Sequence, residues 1–246
     1  MTQQSARQTL DAPVSKPAGR LEKRRLLTRA RLLEAAYDII SLRGVDAAKI
    51  KDITDRADVG FGTFYNYFES KDELAGQVLD CVINDLGRRN VIATDRAHRE
   101  DPALVMPLST RLVLNEAVRQ PMWQWWALRP DLLVDRMREG FKPFATPYMR
   151  EAVAQGIFHI GADEIDAIWA LSVWMMVGGL HDIVDGDRPP QSDMLIVESI
   201  MRVMGVPLET ARRISTSPLP QFPPADIDWS FRLDTFLATV SGVYPP

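Results

Sequence analysis

The stretch DVGFGTFYNYFESKDEL, residues 58–74, decides how the rest of the sequence is interpreted. Five aromatic residues fall within eight positions, and a run of polar and charged residues follows them directly. Ser70 and Glu73 form a capping box, in which the serine oxygen accepts from the amide of Glu73 and the glutamate reaches back to the amide of Ser70. The stretch therefore contains one short helix, over 62–68, and the start of a long helix at Ser70.

The residues before this stretch predict two more helices. Apolar residues recur at helical spacing over about 21–42, and Gly44 ends that helix as a C′ glycine. A second, short helix fits 49–57, with Ile50 and Ile53 on one face. Two short helices joined by a glycine-containing turn and packed on a longer first helix make a helix-turn-helix. The second helix of such a pair is suited to a DNA major groove.

The remainder of the sequence predicts helices as well, and it contains no alternating β pattern of any length. The fold class is therefore all-α, with an N-terminal three-helix helix-turn-helix domain and a C-terminal helical domain. We expect a disordered basic arm over 1–20, the DNA-binding domain over 21–70, the helical domain over 71–216 and a Pro-rich extension over 217–246. Further helices are predicted at 102–119, 122–128, 130–155, 163–184, 193–204 and 207–215, with a short helix or strand at 227–240.

Composition narrows the class of protein. The net charge is −4, yet residues 1–31 hold eight lysines and arginines against two acidic residues. Such asymmetry indicates a basic end that meets an anion, with a solvated tail as the alternative. A single cysteine excludes an internal disulfide, and no apolar run approaches the ~20 residues that span a bilayer. Without a secretory leader pattern, a cytoplasmic location and no membrane partner are expected.

The segment RARLLEAAYDIISLRGVDAAKIKDITDRADVGFGTFYNYFESKDEL, residues 29–74, resembles the DNA-binding domain of the TetR family of transcriptional regulators. The match is closest over GTFYNYFESKDEL and extends over roughly 24–80, whereas later residues agree only in helical layout and length. The resemblance implies a homodimer that binds an inverted repeat of double-stranded DNA. It also implies a small-molecule effector, of unspecified identity, that binds the C-terminal domain and releases a repressor from its operator.

The resemblance assigns DNA contacts to the third helix and its surroundings. Thr63, Tyr67 and Lys71 would meet phosphates, while Gly62 lets the backbone approach the duplex. Tyr65 would meet a phosphate, a sugar or a base. The residues assigned to DNA are Arg29, Lys49, Phe61, Gly62, Thr63, Tyr65, Asn66, Tyr67 and Lys71.

The sequence departs from the family pattern at three positions. Gly60 stands where a serine or threonine usually caps the recognition helix, and glycine is a weaker cap. Phe61 stands where a polar residue is more usual, which favours contact with a thymine methyl over a hydrogen bond to a base. Lys49, next to Ala48, replaces a common threonine and offers a phosphate a charge instead of a hydroxyl. The arm before these helices either enters a minor groove or stays solvated.

The C-terminal region carries many large apolar side chains, including three tryptophans within 123–126. Three tryptophans in four helical positions cannot all face one way, so some fill the core and one is free to line a cavity. The resemblance places a ligand cavity in this domain, and apolar pockets with few polar groups are the usual small-ligand sites. Core packing is the alternative for each residue. The ligand-binding candidates are Trp123, Trp126, Met137, Phe141, Phe144, Tyr148, Trp174 and His181.

The helices predicted at 163–184 and 193–204 are apolar on more than one face, which exceeds what a surface helix needs. The resemblance implies that two late helices of each subunit form a four-helix interface, and two-fold symmetry suits the reading of an inverted repeat. A deeper core within one chain is the alternative. The interface candidates are Ile168, Ser172, Met175, Met176, Gly179, Met194, Val197 and Met201.

The sequence shows no metal site, no cofactor motif and no enzyme motif. Gly60-Phe61-Gly62 begins like a dinucleotide-binding loop, but Tyr65 stands at the third glycine position and no strand precedes it. His159 and His181 stand alone, without partners at ligand spacing. Two other classes stay open beside the ligand-responsive regulator. One is an architectural DNA-binding protein without a ligand, and the other is a protein-interaction module that has lost DNA binding.

Overall fold

The structure, a computed structural model, describes residues 19–237, and every regular element in that range is helical. This confirms the all-α prediction. Three 3₁₀ turns, at Pro102–Leu104, Ala162–Glu164 and Pro190–Ser192, precede α5, α8 and α9. The helices are α1 (Arg20–Ala47), α2 (Ile50–Arg56), α3 (Phe61–Phe64), α4 (Lys71–Glu100), α5 (Val105–Arg119), α6 (Pro121–Ala127), α7 (Pro130–Ala154), α8 (Ile165–Asp185), α9 (Asp193–Val203) and α10 (Leu208–Ser215).

Helices α1, α2 and α3 form the N-terminal domain. Gly44 interrupts α1 with a φ of 74°, a left-handed conformation that favours glycine. Helix α3 is shorter than the predicted 62–68, because residues 65–67 turn before the chain reaches α4. Phe64 and Phe68 are buried together with Ile53. These two rings anchor the recognition helix to the domain core. The predicted arm over 1–20 falls on residues 1–18, outside the described range, and on the start of α1.

The N-terminus of α4 carries the predicted cap with one difference. Ser70 Oγ accepts from the amide of Glu73 at 3.1 Å, as the capping box requires. The Glu73 carboxylate, however, accepts from the amide of Glu69 at 2.6 Å and not from that of Ser70. Its other oxygen accepts from the side chain of Gln77 at 3.0 Å. The glutamate thus binds the amide of the residue before the cap. The predicted bond from Glu73 to the amide of Ser70 was therefore wrong.

We expect Ser70→Ala to lower the free energy of unfolding by about 1 kcal/mol, because it leaves a helix amide without its acceptor. Urea denaturation followed by circular dichroism measures the change. Ser192→Ala is the matched control, since Ser192 precedes α9 but its side chain makes no capping bond. An equal loss of stability in the two variants would contradict the assigned cap.

The C-terminal domain is built on α4, which leaves the DNA-binding domain and packs against α5 and α7. Helices α8 and α9 lie against α5, and α8 also packs along α7. Two glycines allow these close approaches. A Cβ on Gly140 of α7 would lie 2.5 Å from Ile83 of α4, and one on Gly179 of α8 would lie 2.3 Å from Ile196 of α9. Gly179, an interface candidate from the sequence, therefore has a packing role within the chain.

Two buried ion pairs lie in this domain, one within α4 and one between α5 and α9. Asp85 and Arg89 pair within α4 at 2.7 Å, and both side chains are nearly inaccessible. Arg111 of α5 reaches Asp193 of α9 at 2.9 Å, again between buried side chains. Asn115 donates to the same aspartate oxygen at 3.1 Å. Arg111 also donates to the carbonyl of Ser217 at 2.6 Å, which fixes the point where the last segment of the chain leaves α10.

Helix α8 is strongly apolar along its length. Together with its preceding turn it spans Ala162–Asp185, 24 residues with a mean hydropathy of 1.5 in its most apolar window. By length and composition alone this helix is apolar enough to cross a membrane, although the sequence contains no unbroken apolar run of ~20 residues. The core helix of a soluble protein passes the same test. One apolar face of α8 is buried in the domain and another apolar face is exposed, so the helix is apolar around much of its circumference.

Candidate DNA-binding surface and ligand cavity

The exposed face of α3 presents aromatic side chains. Phe61 and Tyr65 are 53% and 54% exposed, and their rings meet edge to face at 5.8 Å. Gly62 and Asn66 are exposed beside them, whereas Thr63 is half-buried. Gly60 precedes the helix without a side-chain cap. The Tyr65 ring also contacts the buried ring of Phe64 at 5.2 Å, and the two exposed rings are accessible to a partner.

A groove of about 980 Å³ runs between the start of α1 and α3. Arg24, Arg25 and Arg31 line its α1 side, and all three are exposed. Arg31 donates to the carbonyl of Asp58 in the turn before α3, at 3.4 Å. Clustered arginines beside a helix that fits a major groove supply the charge that DNA phosphates require. The α3 side of the groove is formed by Gly60, Thr63, Asn66 and Tyr67, with Asp58 and Val59 before them.

Two of the sequence-predicted DNA residues have partners inside the protein. Arg29 donates from Nε to the side-chain oxygen of Gln77 at 3.1 Å and from Nη1 to the carbonyl of Phe231 at 3.4 Å. Burial lowers the pKa of Arg29 from its ordinary value. Lys71 Nζ donates to the carbonyl of Asp46 at 3.1 Å. Lys49 is exposed at the start of α2. The structure thus directs Arg29 away from the groove and places Arg31 there, which was not among the predicted residues.

A cavity of about 300 Å³ lies inside the C-terminal domain, between α4, α5, α7 and α8. Phe141, Phe144 and Tyr148 line it, and all three are among the ligand-binding candidates from the sequence. Phe144 lies over Gly87 of α4, where a Cβ would come within 2.3 Å of the ring. A cavity with mostly apolar walls and few polar groups has the form of a small-molecule site.

Several polar groups in the cavity wall form hydrogen bonds within the protein. Thr94 donates to the carbonyl of Asn90 at 2.7 Å, and Trp169 donates from Nε1 to the carbonyl of Arg138 at 3.1 Å. Tyr148 donates its hydroxyl to a backbone carbonyl, and burial raises its pKa well above the ordinary value, so it stays neutral. The side-chain oxygen of Asn90 is buried without a hydrogen-bond partner. An unpaired buried amide is costly unless something binds it.

The mouth of the cavity is acidic. Asp95 and Glu151 line it together with His98, whose Nε2 lies 3.1 Å from the Glu151 carboxylate. Of the described residues that line the cavity, none is a lysine or an arginine. A carboxylate or phosphate entering here would meet like charge and no cation. The mouth therefore disfavours an anionic ligand.

The other ligand-binding candidates lie away from this cavity. Trp123, Trp126 and Met137 are buried in the core. Trp174 and His181 lie at the surface of α8. The cavity residues that the sequence analysis missed include Asn90, Thr94, Met106, Thr110 and Trp169. The spacing of Asn90 and Thr94, four apart on an otherwise apolar helix face, was the one signal available for them.

An exposed apolar face runs along α8 and α9. Leu171, Trp174 and Leu195 are each about half exposed, and Met194 is exposed beside them. Four of the predicted interface residues, Ser172, Met176, Val197 and Met201, are buried within the chain, and Met176 also lines the cavity. Of the other four, Ile168, Met175 and Gly179 are half-buried and Met194 is exposed.

Comparisons with known proteins identify the class. Residues 32–78 match the family described as bacterial regulatory proteins, tetR family. Residues 101–217 match the tetracyclin repressor-like C-terminal domain. The chain belongs to the TetR family, and it is a transcriptional regulator with a DNA-binding helix-turn-helix. Proteins of this family bind DNA and small molecules as dimers.

Among similar proteins is the HTH-type transcriptional repressor DhaR of Mycobacterium sp. (strain GP1), 42% identical over 60 residues. That match covers 24% of this chain and 30% of DhaR. The HTH-type transcriptional repressor Rv3405c of Mycobacterium tuberculosis (strain ATCC 25618 / H37Rv) is 38% identical over 87 residues, or 35% of this chain and 40% of Rv3405c. The matched regions thus span less than half the length of these relatives.

The solved structures of RolR share the fold over most of this chain. RolR in complex with resorcinol superposes with a TM-score of 0.74 at 24% identity, covering 82% of this chain and 99% of RolR. RolR without ligand gives a TM-score of 0.69 at 25% identity, covering 79% of this chain and all of RolR. Part of this chain therefore extends beyond the RolR fold.

Proposed function

We propose that the chain is a homodimeric repressor that binds an inverted-repeat operator and releases it when a small neutral molecule enters the cavity. One observation carries this proposal: a single helix, α4, joins the two sites. It begins at the Ser70 cap, directly after the recognition segment, and it contributes to the cavity wall Asn90, whose buried side-chain oxygen has no hydrogen-bond partner. A regulator that acts on chromosomal DNA works in the cytoplasm, which is the location we propose.

On the DNA side, we assign base contacts to Phe61 and Tyr65 and phosphate contacts to the arginines of the groove. Lys49, Gly62, Thr63, Asn66, Tyr67 and Lys71 complete the proposed DNA surface. Two copies related by a two-fold axis place their recognition helices in successive major grooves, which an inverted repeat matches. Because phosphate contacts release counterions, binding weakens as salt concentration rises.

The volume of the cavity limits the size of the ligand, and the residues of its wall limit the ligand's chemistry. Cavities of about 150 Å³ are large enough for benzene, so a site of this volume holds a molecule of one or two rings. The rings of Phe141 and Phe144 suit an aromatic partner, and the Asn90 amide suits a hydroxyl group. Since RolR was solved with resorcinol, a small dihydroxy aromatic ring is the first probe to test. We propose a neutral, hydroxylated ring compound as the effector class.

Release follows from differential affinity. A ligand lowers operator affinity only if it binds better to a conformation that does not fit DNA. A molecule between Phe144 and Asn90 would press on α4 beside Gly87, where the ring already lies in close contact. Movement of α4 changes the position of the recognition helix relative to that of the second subunit. The cavity supports this proposal over an architectural protein, which would have no use for it.

We expect Asn90→Ala to weaken binding of a hydroxylated ring probe by about tenfold, because the deleted amide is its hydrogen-bond partner. Isothermal titration with resorcinol measures this, and toluene, which lacks a hydroxyl, serves as the second probe. Toluene binding should be unaffected or improved. Asn84→Ala is the matched control, since Asn84 is a buried asparagine of the same helix outside the cavity wall.

The proposed function as a whole is tested by titrating resorcinol and related ring compounds into the complex of the protein with its operator. Loss of operator binding at probe concentrations that saturate the cavity is the expected result. A probe that occupies the cavity without changing operator affinity would contradict the effector role. Binding that is absent at low salt, or insensitive to salt, would favour the interaction-module alternative.

A further inference from the structure

The last described segment of the chain, residues 217–237, runs back along α4 to α1, and we call it the strap. It is irregular except for a helical stretch at 233–237. It follows the C-terminal domain match, which ends at residue 217. Its predicted counterpart at 227–240 was a short helix or strand, and residues 238–246 lie outside the described range. The strap begins where Arg111 binds the carbonyl of Ser217.

The first anchor of the strap is the middle of α4. The amide of Asp226 donates to Asp85 Oδ1 at 3.1 Å, and Arg88 donates to the carbonyl of Asp226 at 2.6 Å. Arg89 donates to the carbonyl of Pro223 at 3.0 Å. Its guanidinium also lies 4.3 Å from the centre of the Phe222 ring. A buried ion pair of α4 is therefore completed by strap groups.

The second anchor is in the DNA-binding domain. Trp229 packs its ring against Tyr37 of α1, with centroids 5.1 Å apart. The carbonyl of Phe231 accepts from Arg29 of α1 at 3.4 Å. The same carbonyl lies 3.8 Å from the Cys81 sulfur of α4, which is buried. The strap thus contacts the DNA-binding domain at one end and the ligand-binding domain at the other.

The α4 segment that holds the first anchor also forms the cavity wall. Asp85, Arg88 and Arg89 contact the strap. Gly87 and Asn90, from the same two turns of α4, line the cavity. We propose that the strap transmits movement of this segment to α1, as a second connection between cavity and recognition helix besides α4 itself. The effector part of this inference rests on the function proposed above.

Transmission requires that the contacts at the two anchors break together. If they do, removing a contact at one anchor must loosen the other. Cys81 reports the second anchor, since it is the only cysteine of the chain and lies under the Phe231 carbonyl. Burial raises the pKa of its thiol to about 12, so the thiol reacts slowly in the closed state.

The test is the rate at which N-ethylmaleimide labels Cys81 in the full chain at pH 8. We expect Phe222→Ala, at the first anchor, to speed labelling at least about fivefold, because strap opening then precedes reaction. Trp229→Ala, at the second anchor, should do the same. Ser230→Ala is the matched control, because the Ser230 side chain bonds to Asp228 within the strap, and its rate should equal that of the intact chain.

An unchanged labelling rate in Phe222→Ala would overturn the proposal, because the anchors would then act independently. Circular dichroism establishes that the variants are folded. Phe222→Leu, which keeps an apolar contact but loses the ring, replaces Phe222→Ala if that variant is not folded, and Trp229→Leu replaces Trp229→Ala in the same way. Operator affinity is measured in parallel on a duplex selected by the intact chain. We expect it to fall about tenfold in Trp229→Ala and to stay unchanged in Ser230→Ala.

The labelling rate and the operator affinity test the strap coupling and the repressor function separately. Coupled labelling without operator binding by the intact chain would refute the repressor function while upholding the mechanical link. Operator binding that is equal in Trp229→Ala and the intact chain would refute the link to α1 while leaving the repressor function in place.

Discussion

Trp174→Glu is expected to dissociate the proposed homodimer into monomers and to abolish operator binding at nanomolar concentrations. Trp174 is 49% exposed in the single chain, on the apolar face that it shares with Leu171 and Leu195. Tryptophans at the centre of an interface are frequent hot spots, and a buried carboxylate there has no partner. We expect the dimer dissociation constant to rise at least about a hundredfold.

Sedimentation equilibrium measures the association state, and fluorescence anisotropy with a labelled operator measures DNA binding. The control is Leu128→Glu, because Leu128 is exposed to a similar extent, 46%, and follows α6 rather than belonging to α8 or α9. This variant should remain dimeric and bind DNA normally. A dimeric Trp174→Glu variant would show that the subunits associate through another surface.

Asp193→Ala is expected to cause the largest loss of stability, about 3–5 kcal/mol in the free energy of unfolding. Asp193 accepts from Arg111 at 2.9 Å and from Asn115 at 3.1 Å, in a site nearly closed to solvent. Removing the carboxylate leaves a guanidinium buried without its counter-charge. The cost is that of the uncompensated charge and exceeds the net value of the pair.

Urea denaturation measures this loss, and Glu100→Ala provides the comparison. Glu100 also pairs with an arginine, Arg96, at 2.9 Å, but both side chains are largely exposed. Exposed pairs contribute about 0–1 kcal/mol, so this variant should be close to the intact chain. Similar losses in Asp193→Ala and Glu100→Ala would contradict the assigned role of burial.

The local elements of the fold were predictable because their signals lie within a few residues of one another. The Ser70 cap and the break at Gly44 are both encoded this way, and the structure contains them. The shortening of α3 was not predictable, because residues 65–67 have no strong helix-breaking residue among them. The turn there is set by tertiary packing of Phe64 and Phe68.

The sites were less predictable because they depend on partners far apart in sequence. Arg29 was predicted from the sequence as a DNA contact, and its hydrogen bond to the carbonyl of Phe231, 202 residues later, could not be predicted from it. The apolar character of α8 was clear, yet periodicity could not separate the buried Ser172 and Met176 from the exposed Leu171 and Trp174. That division depends on where α9 and α7 lie.

The central claim is that this chain is a two-fold symmetric DNA reader, and selection of bound duplexes from a random library tests it most directly. The selection is carried out with the purified protein at two salt concentrations. The account predicts enrichment of an inverted repeat with half-sites about one helical turn apart, or a multiple of that spacing, and weaker binding at higher salt. Enrichment of no sequence at the lower salt concentration would contradict it.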